Sequence, residues 1–171
     1  MMQTESARMT TAEEARYRIN YPNSSPRAVK VVALDIPSEA VVKRVAQGSW
    51  QRATFFTAPK FEGAPKSGDR SSMKAWLSDL AGRTKDLIDE IATADLIVMV
   101  ASAGTNADAA SVIAEACNAR KVMTTALIIG SAAKSDDELS KTLASLRPNA
   151  SMLVIASNDD YIEEMLVALR A

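Results

Sequence analysis

The sequence contains no histidine and one cysteine, Cys117, among its 171 residues. Without imidazole, the chain has no Ser-His-Asp triad, no Cys-His pair, no histidine metal ligand and no histidine general base. One cysteine excludes an internal disulfide and a thiolate zinc cage. With no histidine to activate its thiol, Cys117 is expected to be a small buried residue. Any chemistry therefore comes from carboxylates, lysines, hydroxyls or the backbone.

The chain also lacks an excess of charge of either sign. Lysine and arginine total 20 and aspartate and glutamate total 21, so nucleic acid and anionic membrane surfaces are not expected partners. No apolar run reaches the roughly 18–20 residues of a membrane span, and the N-terminus lacks the apolar core of a secretory signal. We therefore expect a cytoplasmic protein.

The pattern along the chain predicts a flexible tail over residues 1–28 and a single α/β domain over residues 29–171. The tail is polar, with two prolines at 22 and 26, and could be either a disordered arm or an arm that docks on a partner. In the domain, strands alternate with helices, which predicts a three-layer doubly wound parallel sheet of five strands with helices on both faces, Rossmann-like or flavodoxin-like, in the order 2-1-3-4-5. The predicted strands are 29–34, 53–57, 96–101, 121–129 and 152–156.

The predicted helices follow from apolar spacing and caps. Ser38 is a plausible N-cap of the first helix, Ser135 and Glu138 form a capping box, and Asn158 can cap the last helix. A long helix is predicted from Met73 to residue 94, with Leu77, Leu80, Leu87, Ile88 and Ile91 on one stripe. Trp76 on that stripe packs on the core or anchors a partner, and the preceding loop, 58–72, is long enough to be functional or mobile.

A ligand site is expected beyond the carboxyl ends of the strands, between the first and third strands. That rule selects two loops, 35–39 and 102–108, with residue 131 and residues 157–158 on the rim. Neither loop has a glycine-rich phosphate motif, because Gly104 is the only glycine in either. The candidate binding residues are Asp35, Ser38, Ala103, Gly104, Thr105, Asn106, Asp108 and Ser131.

The roles of these residues stay open at the level of sequence. Asp35 could bind a cation or act as a base, or it could cap a turn or helix. Thr105, Asn106 and Asp108 could contact a ligand or cap the helix predicted from residue 109. Asp35 and Asp108 could share Mg²⁺, although no metal site is assigned. The cofactor is left unidentified, and a nucleotide is one possibility.

Several segments resemble the nucleotide-binding half of the tubulin-like bacterial division protein FtsZ. They are residues 31–32, 40–45 and 53–56, the stretch 94–101 before the tubulin signature loop, 112–115, 122–129, and Leu146 with residues 154–155 and 157–159. The resemblance covers about residues 29–165 and implies the same α/β fold. In that family the first strand is followed by a glycine run, and the later signature loop is rich in Gly and Thr.

The departures from FtsZ fall in those loops. The family's glycine run after the first strand is replaced by residues 35–39, and its Gly/Thr signature is shortened to residues 104–108. The acid and arginine that hold ribose and base have no counterpart in residues 130–134, and the family's catalytic loop and second domain are not expected in this chain. The resemblance therefore implies the fold and argues against GTP hydrolysis.

Three functions are compatible with these patterns. The first is a non-hydrolysing, FtsZ-like domain that acts by binding a second copy of itself, as a homo-oligomer, or a protein partner. The second is a small-ligand or nucleotide-binding protein that uses loops 35–39 and 102–108. The third is an enzyme that depends on the carboxylates of Asp35 and Asp108, with or without Mg²⁺.

Overall fold

The computed structural model describes residues 25–58 and 77–171. The predictions for the tail up to residue 24, for loop residues 59–72 and for Trp76 lie outside the described residues. Residues 25–28 lead into the domain and bond to it. The Arg27 N–H donates to the Arg170 carbonyl at 2.8 Å, and the Ala28 N–H donates to Asp95 Oδ2 at 2.8 Å.

Seven strands in the described part of the chain form one sheet. They are β1 Val29–Ala33, β2 Ala53–Thr57, β3 Leu77–Asp79, β4 Thr84–Lys85, β5 Leu96–Ser102, β6 Met123–Ile129 and β7 Met152–Ile155. Their order across the sheet is β4-β3-β2-β1-β5-β6-β7. Five neighbouring strands, β2, β1, β5, β6 and β7, pair in parallel, which confirms the predicted fold class and the order 2-1-3-4-5. The remaining two, β3 and β4, are short antiparallel strands on the β2 side of the sheet.

Five α-helices in the described part of the chain cover both faces of the sheet. They are α1 Ile36–Val45, α2 Leu87–Ala92, α3 Ala109–Arg120, α4 Asp136–Leu146 and α5 Tyr161–Ala168. The buried side chains of α1 and α5 share one apolar cluster with one face of the sheet, and those of α2, α3 and α4 share the other. Because the crossovers from β1 and from β5 run in opposite directions, the switch point lies between these two strands.

The long helix predicted from Met73 to residue 94 is wrong over residues 77–86, which form two strands and a turn, and is confirmed only over α2, Leu87–Ala92. An Asp79 carboxylate oxygen accepts the N–H groups of Ala81 and Arg83 at 3.0 and 2.9 Å, and Gly82 has a φ of +79°. These contacts close a tight turn between β3 and β4, and Asp86 then caps α2 by accepting from the Ile88 N–H at 2.9 Å. The apolar spacing continued across the turn by coincidence, whereas the Asp79 and Gly82 turn chemistry decided the local structure.

The predicted capping box at Ser135 and Glu138 is confirmed, whereas two other caps are wrong. Asp35, not Ser38, is the N-cap of α1, and Asp160, not Asn158, occupies that position in α5. Ser38 is the third residue of α1, where its N–H donates to the Asp35 carboxylate. No helix in residues 25–58 and 77–171 is long and apolar enough to cross a membrane.

Candidate functional site

A cleft of about 260 Å³ opens at the carboxyl end of the sheet beside the switch point. Its apolar lining comes from Val41, Ala103 and Ile129, and its polar lining includes Ser102 and Thr105. Pro37, Gly130, Lys134 and Asp159 complete the wall. The cleft therefore lies where the strand order predicts a ligand site.

The Asp35 carboxylate joins the two predicted loops. Its Oδ1 accepts the Ser38 N–H at 2.8 Å and the Ser102 hydroxyl at 2.9 Å. Its Oδ2 accepts the Ser102 N–H at 2.7 Å and lies 2.8 Å from the Thr105 hydroxyl oxygen. That hydroxyl also lies 2.7 Å from the Ser102 carbonyl and can donate its single proton to one of them at a time.

This arrangement assigns Asp35 a positioning role. A carboxylate has about four lone-pair sites, and the protein places four donors around the two oxygens. A carboxylate surrounded in this way is poorly placed to take a proton from substrate or to ligate a cation. Of the two readings that the sequence left open, the structure favours the helix cap, extended by a bridge to β5.

The backbone of the second loop is also engaged within the protein. The Gly104 N–H donates to Thr142 Oγ1 at 2.9 Å, and the Thr142 hydroxyl lies 3.0 Å from the Thr105 carbonyl. Thr142 is completely buried in α4. Gly104 has a φ of +87°, so the glycine is needed for the turn, and its N–H is not available to an anion.

The other candidate residues are spread over several environments. Ala103 is buried and lines the cleft together with Thr105, whereas Asn106 and Asp108 are exposed and outside its lining. The Asn106 side-chain amide donates to Asp108, and Asp108 makes no side-chain cap to α3. Ser131 donates to the Ala156 carbonyl at 3.0 Å. The loops are therefore brought together at Asp35 and Thr105, and not at Asp108.

The structure gives no support to a magnesium site on Asp35 and Asp108. Within residues 25–58 and 77–171, no three side chains of the Asp, Glu or Cys type are grouped to hold a metal ion. The Asp35 oxygens are occupied by donors, and the Asp108 side chain is bonded to Asn106. Asp35 and Asp108 therefore do not present a shared pair of free carboxylate oxygens to Mg²⁺.

Lys134, Asp159 and Thr142 contribute to the region, although sequence reasoning did not single them out as site residues. Lys134 and Asp159 follow the carboxyl ends of β6 and β7, so the strand-end rule could have found them. The Lys134 Nζ lies 3.3 Å from Glu138 Oε1. Hydrogen bonds hold the pKa of Glu138 below its ordinary value. The largest effect comes from the Ser135 N–H, followed by the Ser135 hydroxyl and by Lys134. Thr142 gave a weaker signal, since it is a hydroxyl residue that stands among Leu139, Leu143 and Leu146 in α4.

Cys117 lies in α3 and is fully buried, as predicted. Burial raises the pKa of its thiol to about 12. The thiol therefore stays protonated near neutral pH, and only the thiolate is nucleophilic.

Comparisons with known proteins give no family assignment. No protein-family model and no curated protein matches the chain. Among solved structures, the chain is similar to translation elongation factor SelB from Methanococcus maripaludis in complex with the GTP analogue GppNHp. The TM-score is 0.49 at 9% sequence identity, and the match covers 87% of this chain and 34% of the SelB chain. For the apo form of SelB the TM-score is 0.48 at 11% identity, with 85% and 37% covered. The chain thus spans about a third of the SelB length, and its fold class rests on its own strand order and layers.

Proposed function

We propose that the chain is a binding domain that does not hydrolyse nucleotide, and that the cleft beside Ser102 and Thr105 holds a small phosphorylated ligand with free hydroxyl groups. The observation that carries this proposal is the Asp35 bridge. It uses the carboxylate best placed for catalysis as an internal acceptor, and it fixes the two hydroxyls that line the cleft.

The bridge determines what those hydroxyls offer to a ligand. Ser102 donates its proton to Asp35, and the Thr105 proton is directed to Asp35 or to the Ser102 carbonyl. Each oxygen retains lone pairs but has no proton to spare. The complementary ligand is therefore one that donates hydrogen bonds, such as the hydroxyls of a ribose or another sugar.

Lys134 supplies the positive charge of the cleft. Its ammonium group contacts Glu138 at 3.3 Å and its side chain is 42% exposed, so two of its three donors are available for an anion. Backbone N–H groups offer little further anion binding at this cleft. The Gly104 N–H already donates to Thr142, and Pro37, near the start of α1, has no N–H. A single phosphate or carboxylate held by Lys134 fits better than a triphosphate chain.

The volume limits the size of the ligand. The cleft has a volume of about 260 Å³. Pockets that enclose drug-sized molecules start at roughly 300 Å³. We therefore expect a ligand of the size of a sugar phosphate, or a nucleoside monophosphate whose base extends beyond the cleft.

Kinship with the FtsZ family is a further part of the proposal. It is supported by the resemblance of segments that lie in the same succession here, with residues 40–45 in α1, 96–101 in β5 and 112–115 in α3. The replaced loops at 35–39 and 104–108 contribute Asp35, Ser38 and Thr105 to the bridge, and Ser102 at the end of β5 completes it. The proposed relation is therefore to a degenerate, non-hydrolysing member of that family.

Thermal unfolding with added ligand tests the binding part. The panel is ribose 5-phosphate, AMP, GMP, GTP and inorganic phosphate, each with and without Mg²⁺. At about 100 times its dissociation constant a bound ligand stabilises by about 2.7 kcal/mol, which is about 5–10 °C in Tm for a domain of this size. No shift across the panel overturns the proposed ligand class.

Two matched variants locate the site. Lys134→Ala removes a charge-assisted hydrogen bond of about 1.5–3 kcal/mol and should weaken binding by roughly 10- to 100-fold. Lys141→Ala removes an exposed lysine of α4 outside the cleft lining and should leave binding unchanged. Phosphate release from GTP by the chain, lost in Asp108→Ala, would refute the non-hydrolysing assignment.

A further inference from the structure

Two side chains of opposite charge line the cleft, and each is paired with a residue other than its counterpart. Lys134 follows β6 and Asp159 follows β7, so they come from the ends of neighbouring strands. The Lys134 ammonium contacts Glu138 at 3.3 Å, and Asp159 Oδ2 lies 3.9 Å from Arg44 Nη2. The cleft therefore presents one cation and one carboxylate to the same volume.

The Asp159 carboxylate has the open acceptor sites that the Asp35 carboxylate lacks. Four donors surround Asp35, whereas Asp159 accepts no hydrogen bond from residues 25–58 and 77–171. Its separation from Arg44 is that of an ion pair and lies beyond the hydrogen-bond range. About four lone-pair sites of Asp159 are therefore open to a ligand in the cleft.

The nearby guanidinium of Arg44 limits what Asp159 takes from a ligand. A carboxylate accepts hydrogen bonds and attracts cations. A ligand ammonium would be repelled by Arg44, whereas a hydroxyl is an uncharged donor. The hydroxyls of Ser102 and Thr105 in the same cleft also accept hydrogen bonds and have no proton to spare. The lining thus favours a ligand with several hydroxyl groups.

We propose that Asp159 determines the specificity of the cleft by accepting hydrogen bonds from two adjacent hydroxyls of the ligand, one at each carboxylate oxygen. A carboxylate is also the acceptor for a ribose hydroxyl in dinucleotide-binding α/β folds. The phosphate lies at Lys134, because Asp159 repels it. This inference rests on the proposed function and narrows its ligand class to sugar phosphates with an intact vicinal diol.

Calorimetric titration of the full chain with a matched pair of ligands tests this assignment. Ribose 5-phosphate carries the diol, and 2-deoxyribose 5-phosphate carries the same phosphate with one hydroxyl removed. The wild type should bind ribose 5-phosphate roughly 10- to 100-fold more tightly, the range for one hydrogen bond to a charged group. Asp159→Ala should weaken the binding of ribose 5-phosphate more than that of the deoxy sugar, so that the ratio of the two affinities falls to about one.

Asp160→Ala is the matched control. It removes the neighbouring carboxylate, which also lies 4.0 Å from Arg44 but is 88% exposed and outside the cleft lining, and it should leave both affinities unchanged. Asp159→Asn keeps the shape of the side chain and one acceptor oxygen, and should give an intermediate ratio. It replaces Asp159→Ala in the comparison if thermal unfolding shows that the alanine variant does not fold.

A third ligand, phosphoethanolamine, distinguishes a diol from a cation at Asp159. It joins a phosphate to an ammonium group and has no hydroxyl groups beyond those of the phosphate. It should bind less tightly than ribose 5-phosphate, because its ammonium group meets Arg44 beside the carboxylate. The reverse order of affinity overturns the assignment of a diol.

The remaining outcomes separate this assignment from the proposed function. An affinity ratio that Asp159→Ala abolishes and Asp160→Ala preserves supports the assignment. Equal binding of the two sugar phosphates by the wild type overturns it but leaves the proposed phosphate site in place. Tighter binding of both by Asp159→Ala does the same, since it identifies a carboxylate that only repels anions. No binding of any of the three ligands overturns the proposed function and this assignment with it.

Discussion

Replacing Asp35 by asparagine is the most direct test of the bridge between the two loops. The substitution keeps the size and shape of the side chain and leaves one acceptor oxygen. The other oxygen becomes an NH₂ group, which cannot accept the hydrogen bonds that Asp35 Oδ2 now takes from the Ser102 N–H at 2.7 Å and from Thr105 at 2.8 Å. The fold should survive, but the loop after β5 should lose its anchor.

The size of the effect follows from these contacts. A hydrogen bond to a charged group contributes about 1.5–3 kcal/mol net, and Thr105 can redirect its proton to the Ser102 carbonyl, 2.7 Å away. The main loss is thus one charged hydrogen bond, about 2 kcal/mol in the free energy of unfolding. Asp35→Ala removes the cap as well, a further ~1 kcal/mol.

Urea unfolding followed by circular dichroism measures the loss, read from the midpoint at constant m-value. The matched control is Asp86→Asn, because Asp86 caps α2 by accepting the Ile88 N–H but makes no bridge to another loop in the described part of the chain. Asparagine caps a helix about as well as aspartate, so the control should change stability by a few tenths of a kcal/mol. Equal effects of Asp35→Asn and Asp86→Asn would refute the bridge as the source of stability.

Three further outcomes are expected. Cys117, with its pKa raised by burial to about 12, should react with a thiol reagent at pH 8 only as fast as the chain unfolds, and rapid labelling of the native protein would contradict this burial. Gly104→Ala and Gly82→Ala should each destabilise by about 1–2 kcal/mol through left-handed φ values of +87° and +79°. In urea unfolding, Gly104→Ala should lower the free energy of unfolding by more than Gly82→Ala. A Cβ at position 104 would lie 3.2 Å from Glu138 Oε1, whereas a Cβ at position 82 meets nothing within 4 Å. The pKa of Glu138 is lowered in the folded state. The stabilisation from its carboxylate is therefore present above the ordinary pKa near 4.3 and is lost as the pH falls through the lowered pKa. The difference in Tm between wild type and Glu138→Gln should shrink below about pH 5.

The parallel core was predictable because its signals are long and mutually consistent. β5 and β6 are runs of seven residues, nearly all buried on both faces, and such runs are typical of central parallel strands. The hairpin of β3 and β4 was not predictable in this way, because Leu77 and Leu80 continue the spacing of the apolar residues of α2. Only the turn at Asp79 and Gly82 distinguishes the two structures, and a short turn signal competes poorly with a long apolar stripe.

The site was predictable in its position but not in its roles. The strand-end rule located the loops that Asp35 and Thr105 join, although these residues are 70 positions apart. Which donors surround a carboxylate depends on the register of β1 with β5, which no local pattern contains. The same limit applies to Thr142, whose hydroxyl contacts a loop 37 residues earlier.

The attachment of the loop after β5 to both helical layers has a consequence for the order of folding. Asp35 holds the loop from the start of α1, and Thr142 holds it from α4 on the opposite face. Both anchors exist only after β1 has paired with β5 and both layers have docked, so the loop should take its final shape after the rate-limiting step. Substitutions at Asp35 and Thr142 should then speed unfolding while leaving the refolding rate nearly unchanged.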